Sequence, residues 1–220
     1  MFFIGFFVTS CSSILIIIVS LITNIFINNP YFILSALLLI FEIYYLLLSE
    51  FIRGLEDGGH TCQLIDLYQI NFDETFSEEE YLREAFYDQA LKVPEDVQAH
   101  QRLINANDAV VFIYPVFWTE APGKLVGWFQ RVWTYGFAYG TETKMKQLDK
   151  VLMLVTMGGD LSEEIRQQQV AAMKVVMLGD RIGERAKTKE MIVFDRMSRD
   201  YPVREVNYYE KLKNVAYLIR

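Results

Sequence analysis

The chain has 220 residues and a formal net charge of −7, and its charges are distributed unevenly. No Asp, Glu, Lys or Arg precedes Glu42, and the only charged residues within 1–50 are Glu42 and Glu50. An acidic chain without clustered basic residues is not typical of nucleic-acid binding, because that affinity comes mostly from Lys and Arg. Two cysteines and two histidines are too few for a disulfide framework or a zinc site. We expect neither a nucleic-acid partner nor a bound metal.

The first fifty residues are almost entirely apolar. Residues 2–27 form one uncharged run and residues 31–49 a second, with Asn28-Asn29-Pro30 between them. As helices, both runs are long enough to cross a hydrocarbon core of about 30 Å. We predict a hydrophobic segment over 1–49 that forms a transmembrane hairpin and anchors a domain over 50–220 to a membrane.

Three alternatives to the hairpin stay open. The β-branched run at residues 14–19 is typical of a buried parallel strand, which a core helix would then follow. A secretory signal peptide fits less well, because the segment is long and has no basic start. The third alternative is that the segment is an artefact of gene prediction and not part of the natural protein.

Helical and strand patterns alternate from about residue 46 onwards. A helix is predicted to end at Gly58-Gly59, a pair typical of helix C-termini. Further helices are predicted over 78–91, 94–104, 123–132, 162–178 and 205–219, and strands over 60–67, 109–114, 151–155 and 190–194. This alternation predicts an α/β fold with a doubly wound parallel sheet.

The loops after Tyr114 and Val155 are the expected ligand sites, since ligands bind beyond the carboxyl ends of strands in such sheets. Phe117 and Trp118 lie in the first loop, which Pro115 stiffens. Aromatic side chains on a rigid loop favour the binding of a flat heteroaromatic ring.

The segment PVFWTEAPGKLVGWFQRVWTYGFAYG, residues 115–140, resembles the signature of the flavodoxin-like NAD(P)H:quinone oxidoreductases, the family of DT-diaphorase and the modulator of drug activity B proteins. The resemblance implies a flavodoxin-like domain and two-electron hydride transfer from NAD(P)H through a flavin to a quinone. It implies FAD as cofactor, with FMN as the alternative, and a homodimer. Use of reduced nicotinamides implies a cytoplasmic domain.

The resemblance also assigns site residues. The flavin ring would lie along the first loop, and the Thr-x-Gly-Gly turn of the second would meet its pyrimidine end. The residues implied to bind the cofactor are Pro115, Val116, Phe117, Trp118, Thr156, Met157, Gly158 and Gly159. Phe137 and Tyr139 are implied to shape the substrate pocket. Tyr139 is also the candidate catalytic proton donor, with solvent as the alternative, because residues 160–172 lack the Tyr and His of the family.

Two departures from the family pattern leave a second function open. The family places a Tyr and a His after the Gly-Gly turn, whereas residues 160–172 contain neither. The family's phosphate-binding loop, which contains a His-Pro pair, is also missing between Met1 and Leu48, and residues 20–24 are at best a degenerate substitute. The alternative is therefore a flavin-less, non-catalytic protein with a flavodoxin fold.

Overall fold

The computed structural model describes residues 30–35 and 42–198, with side chains from residue 48 onwards in the first helix. Strands and helices alternate along this part of the chain, as predicted. They are β1 (Pro30–Ser35), α1 (Glu42–Asp57), β2 (Thr61–Asp66), α2 (Glu78–Ala85), α3 (Glu95–Ala106), β3 (Ala109–Pro115), α4 (Gly123–Val132), β4 (Leu148–Thr156), α5 (Glu164–Lys174) and β5 (Ala186–Phe194). The helix predicted over 205–219 lies outside the described residues.

The described strands form one parallel sheet in the order β2-β1-β3-β4-β5. This order is that of the flavodoxin-like doubly wound fold, in which the chain reverses direction across the sheet between β1 and β3. The predicted fold class is confirmed.

The strand β1 corrects the prediction for the second apolar run. Residues 31–49 are predicted as a membrane helix, but Pro30–Ser35 form a strand that pairs with β2 on one side and β3 on the other. Its residues Phe32, Ile33 and Leu34 are completely buried. A central parallel strand contacts apolar layers on both faces, so its composition matches that of a membrane helix.

The helix α1 crosses the boundary predicted between residues 49 and 50. It follows β1 in the chain and packs on the sheet, so both elements belong with the α/β domain. No helix in the described part of the chain is both long and apolar enough to span a membrane. The first predicted span, residues 2–27, and the alternative strand over 14–19 lie outside the described residues.

Two hydrophobic cores cover the two faces of the sheet, because alternate strand residues point to opposite faces. On one face, Leu48, Phe51 and Leu55 of α1 pack against Ile33 of β1. The other face packs against α4, whose Trp128 is completely buried.

Two helices differ in length from their predictions. α2 ends at Ala85 instead of residue 91, and the backbone of Tyr87 then adopts a φ of +54°. The Arg83 side chain donates to the carbonyl oxygens of Leu91 (3.2 Å) and Tyr135 (3.0 Å), so tertiary contacts hold this segment as a turn. α5 continues beyond its last residue into a π-helical stretch, Val175–Ile182.

Candidate functional site

The carboxyl ends of β3 and β4 bring the two predicted loops together. Pro115 is the register partner of Thr156, and the N–H of Val116 donates to the carbonyl oxygen of Thr156 at 2.8 Å. The residues that follow the two strands therefore lie at one edge of the sheet, where doubly wound folds bind ligands.

A tight turn presents the aromatic residues of the first loop. Phe117 and Glu120 exchange two backbone hydrogen bonds of 2.9 Å, and the residues between them, Trp118 and Thr119, have φ values of +53° and +66°. Such a turn favours Asn and Gly, and a bulky residue in this conformation costs roughly 1–3 kcal/mol. The indole of Trp118 is 100% exposed. A large apolar side chain held exposed on a strained turn is typical of a binding site.

An ion pair connects this turn to the end of the π-helical stretch. The Arg181 guanidinium donates to both carboxylate oxygens of Glu120, at 3.1 and 3.4 Å, and its carbon lies 5.3 Å from the centre of the Phe129 ring. The indole Nε1 of Trp133 donates to the carbonyl oxygen of Arg181 at 2.6 Å. These contacts fix the position of the turn relative to α4.

The second loop is held by backbone pairing with the segment after β5. The N–H of Met157 donates to the carbonyl oxygen of Phe194 at 2.9 Å, and the N–H of Arg196 donates to that of Gly159 at 2.8 Å. The N–H groups of Gly158 and Gly159 donate no hydrogen bond to any other described residue. They are therefore available to hydrogen-bond acceptors on a ligand.

The guanidinium of Arg166, in the first turn of α5, lies over the Gly158-Gly159 turn. A Cβ on Gly159 would lie 2.6 Å from Arg166 Nε, so a larger residue would displace the guanidinium. Arg166 Nη1 donates to Gln169 Oε1 at 3.0 Å, and Nε lies 3.4 Å from a carboxylate oxygen of Glu163. The Nη2 group donates to no described residue.

The two loops and α5 enclose a cavity of about 270 Å³. Residues of its lining that the sequence predicted are Val116, Trp118, Met157, Gly158 and Gly159. Pro115, Phe117 and Thr156 adjoin these residues in the chain without lining the cavity. The aromatic loop and the Gly-Gly turn thus share one site.

The sequence prediction missed four residues of the lining, Thr119, Arg166, Gln169 and Met173. The last three are spaced three and four residues apart on α5, which places them on one face of the helix. This spacing, on a helix that directly follows the Gly-Gly turn, is the sequence pattern that could have identified these three residues as part of the site.

Phe137 and Tyr139 do not line this cavity in the single chain. Phe137 is 5% exposed and borders a separate groove beside α3. The Tyr139 hydroxyl donates to the Glu84 carboxylate at 2.7 Å. Two causes raise the pKa of Tyr139: burial is the larger, and this hydrogen bond is the second. The roles predicted for both residues stay predictions.

Comparison with known proteins identifies the family. The family model described as a flavodoxin-like fold matches residues 44–178, which is more than half of the chain. The structure is similar to NAD(P)H:quinone oxidoreductase from Methanothermobacter marburgensis, with 34% identity and a TM-score of 0.80 over 88% of this chain and 98% of that one. The chain belongs to the flavodoxin-like family of NAD(P)H:quinone oxidoreductases.

Two further comparisons concern one curated relative and one structure that shares the fold alone. NAD(P)H dehydrogenase (quinone) 1 of Rattus norvegicus is 29% identical over 143 residues, which cover 57% of this chain and 52% of the relative. The chain thus spans about half the length of the curated relatives it matches. General stress protein 14 of Treponema denticola, solved in complex with FMN, shares the flavodoxin-like fold, with 18% identity and a TM-score of 0.61 over 87% of this chain and 99% of that one.

The cavity fits one end of a flavin. Its exposed indole offers a flat stacking surface, and the Gly158 and Gly159 N–H groups with the Arg166 guanidinium offer donors to an acceptor-rich edge, as the pyrimidine part of an isoalloxazine has. The flavin-binding roles that the resemblance assigns to residues of the two loops stay predictions.

The chain fits the phosphate group of a flavin nucleotide less well than it fits the ring. The segment between β1 and α1, residues 36–41, has the sequence ALLLIF, with no glycine, hydroxyl or basic side chain. Flavodoxin-like folds bind phosphates at this position by backbone N–H groups and a helix N-terminus. Among the described residues, Ser35 at the end of β1 has a completely buried Oγ without a hydrogen-bond partner.

Proposed function

We propose that this chain is a flavin-dependent NAD(P)H:quinone oxidoreductase. The observation that carries the proposal is one cavity lined by two features: an exposed indole on a strained turn, and a Gly-Gly turn with unpaired N–H groups. Neither feature stabilises the domain, so a ligand is their simplest explanation. FAD is the proposed cofactor and FMN the alternative. The FMN bound by the fold neighbour supports a flavin.

A bound flavin would accept two electrons and one proton from NAD(P)H as a hydride and pass them to a quinone, which takes up a further proton to become a hydroquinone. The protein's own residues orient the ring. Trp118 provides a stacking surface, and the N–H groups of Gly158 and Gly159 donate to its acceptors. Val116 and Met157 contribute apolar side chains to the lining of the cavity.

The proposal includes a homodimer located in the cytoplasm, where NAD(P)H is available. Tyr139 is proposed as the proton donor to the quinone, and Phe137 as part of the substrate pocket. Since neither residue lines the cavity of its own chain, a second chain would bring them to it. We expect Tyr139→Phe to lower kcat about 100-fold, the lower end of the usual effect of a general acid, while the flavin affinity is unchanged. An unchanged kcat would exclude Tyr139 as the donor.

The alternative is a flavin-less, non-catalytic protein with this fold. The observation that favours it is the apolar sequence ALLLIF at the position where the fold normally binds phosphates. Without phosphate contacts, the ring-side loops alone would have to supply the flavin affinity.

The test is the visible absorption spectrum of the full-length chain after incubation with excess FAD or FMN and removal of the free flavin. We expect about one flavin per chain, which NAD(P)H bleaches and a quinone restores. A Gly159→Ala variant serves as the matched comparison, because its Cβ would displace Arg166 in the cavity. A folded wild-type chain that retains no flavin would exclude the oxidoreductase and support the alternative.

A further inference from the structure

Arg166 occupies a position that local energetics disfavour. It is the third residue of α5, and a helix N-terminus carries partial positive charge that repels a cation in the first turn. Its ion pair with Glu163 compensates little, because the two side chains are 38% and 52% exposed. A residue that local rules disfavour indicates a functional role when it lines a cavity.

The contacts of Arg166 orient its guanidinium. Gly159 leaves room for the side chain beneath it, and Gln169 accepts from Nη1 at 3.0 Å. The Nη2 group is left without a partner among the described residues, on a guanidinium that lies beside Gly159. A permanent cation next to two unpaired backbone donors forms a site for a negatively charged, planar group.

We propose that Arg166 pairs with the negative charge of the reduced flavin at the pyrimidine edge of the ring. The inference rests on the proposed function. Transfer of a hydride adds two electrons and one proton to a neutral ring, so the product carries one negative charge until a second proton arrives. Arg166 compensates this charge and thereby favours the reduced over the oxidised flavin.

The chain segment that follows the Gly158-Gly159 turn supplies no phenol or imidazole that could hold this charge. Residues 160–198 contain neither Tyr nor His, so a phenol or an imidazolium from this stretch cannot hold the charge. A guanidinium stays protonated at every physiological pH and compensates the charge without transferring a proton. Arg166 therefore acts as an electrostatic group and leaves proton delivery to another residue or to solvent.

The test compares the full-length chain with Arg166→Gln, Arg166→Lys and Lys174→Gln, each loaded with FMN. Lys174 is an exposed cation on the same helix outside the cavity lining, so its variant is the matched control. Equilibration with a reference dye measures the midpoint potential, and fluorescence titration measures the affinity for oxidised FMN. We expect Arg166→Gln to weaken the preference for reduced flavin about tenfold, which is about 30 mV for a two-electron couple. Arg166→Lys should keep part of the preference, and Lys174→Gln all of it.

The outcomes separate this inference from the proposed function. If the wild type binds flavin and Arg166→Gln has the same potential, the role of Arg166 is excluded while the oxidoreductase stands. If the folded wild type binds no flavin, both proposals fail. Should Arg166→Gln not fold, Gln169→Leu removes the hydrogen bond that orients the guanidinium, and a smaller shift in the same direction is expected. An unchanged potential in Gln169→Leu would then overturn the inference.

Discussion

The guanidinium of Arg131 is buried against the carboxylate of Glu80, with 2.7 Å between Nε and Oε1 and side chains only 6% and 7% exposed. The same guanidinium donates through Nη1 to the carbonyl oxygen of Asp73 at 2.6 Å and to the carboxylate of Asp96 at 2.8 Å. One side chain of α4 thus connects α2 and α3.

Replacement of Arg131 by Met should lower the free energy of unfolding by about 3–5 kcal/mol, because Glu80 would remain buried without its partner. Chemical denaturation of wild type and variant measures the difference. Arg102→Met is the control, since the pair of Arg102 with Glu95 is exposed and should contribute about 1 kcal/mol or less. Equal losses for the two variants would contradict the structural role of the buried pair.

Gly127 of α4 lies directly against the backbone of Glu74. A Cβ at Gly127 would lie 2.9 Å from Glu74 Cα and closer still to its carbonyl oxygen, so Gly127→Ala should destabilise the fold by about 1–3 kcal/mol. Gly123→Ala on the same helix has no heavy atom within 4 Å of its Cβ and should be neutral or slightly stabilising. Thermal unfolding compares the two variants. A neutral Gly127→Ala would show that this close approach is absent.

The positive φ of Thr119 predicts a variant that is more stable than the wild type. Glycine adopts this conformation without strain, so Thr119→Gly should raise the free energy of unfolding by about 1 kcal/mol. Thr119→Ala, which keeps the Cβ, should give no such gain. If both variants behave alike in chemical denaturation, the turn is not strained at this residue.

Trp118 should contribute to ligand binding and not to stability. Its side chain is 100% exposed, so Trp118→Ala is expected to leave the melting temperature unchanged. Loss of aromatic stacking should weaken flavin binding by about 1 kcal/mol, or roughly fivefold. Trp118→Phe retains a ring and should lose less. Titration with FMN measures the affinities, and an unchanged affinity in Trp118→Ala would exclude the stacking role.

The burial of His100 should make the free energy of unfolding depend on pH. Its Nδ1 is buried without a hydrogen-bond partner, and its ring packs edge-on against Phe72 and Trp128. Burial lowers the pKa of His100 to about 4; Asp96 opposes this shift and Arg131 adds to it. An unfolded histidine titrates near pH 6.5.

Between about pH 6.5 and pH 4 the unfolded chain therefore binds a proton that the folded chain does not. The free energy of unfolding should fall as the pH decreases through this range, by at most about 1.4 kcal/mol per pH unit from this residue. His100→Leu should lack this component, so its stability relative to the wild type should improve as the pH falls from 7 to 4. Parallel pH profiles for the two proteins would contradict the lowered pKa.

Part of the site could be predicted from sequence because it depends on chain order. The Trp118 loop and the Gly158-Gly159 turn each follow a buried apolar strand, and parallel strands bring such loops to one edge. Arg166 was missed because its place over Gly159 depends on how α5 packs after the turn. The separation of Tyr139 from the cavity was equally hidden, since its hydrogen bond to Glu84 joins residues that are distant in the chain.

The sequence by itself determined the alternation of strands and helices, since apolar strands and amphipathic helices carry distinct periodicities. Only the tertiary structure decided what Pro30–Ser35 would form. The uncharged residues that suit a lipid environment suit equally well a strand with apolar neighbours on both faces. Pairing of its backbone N–H and C=O groups with β2 and β3 distinguishes the two outcomes, and local composition does not encode that pairing.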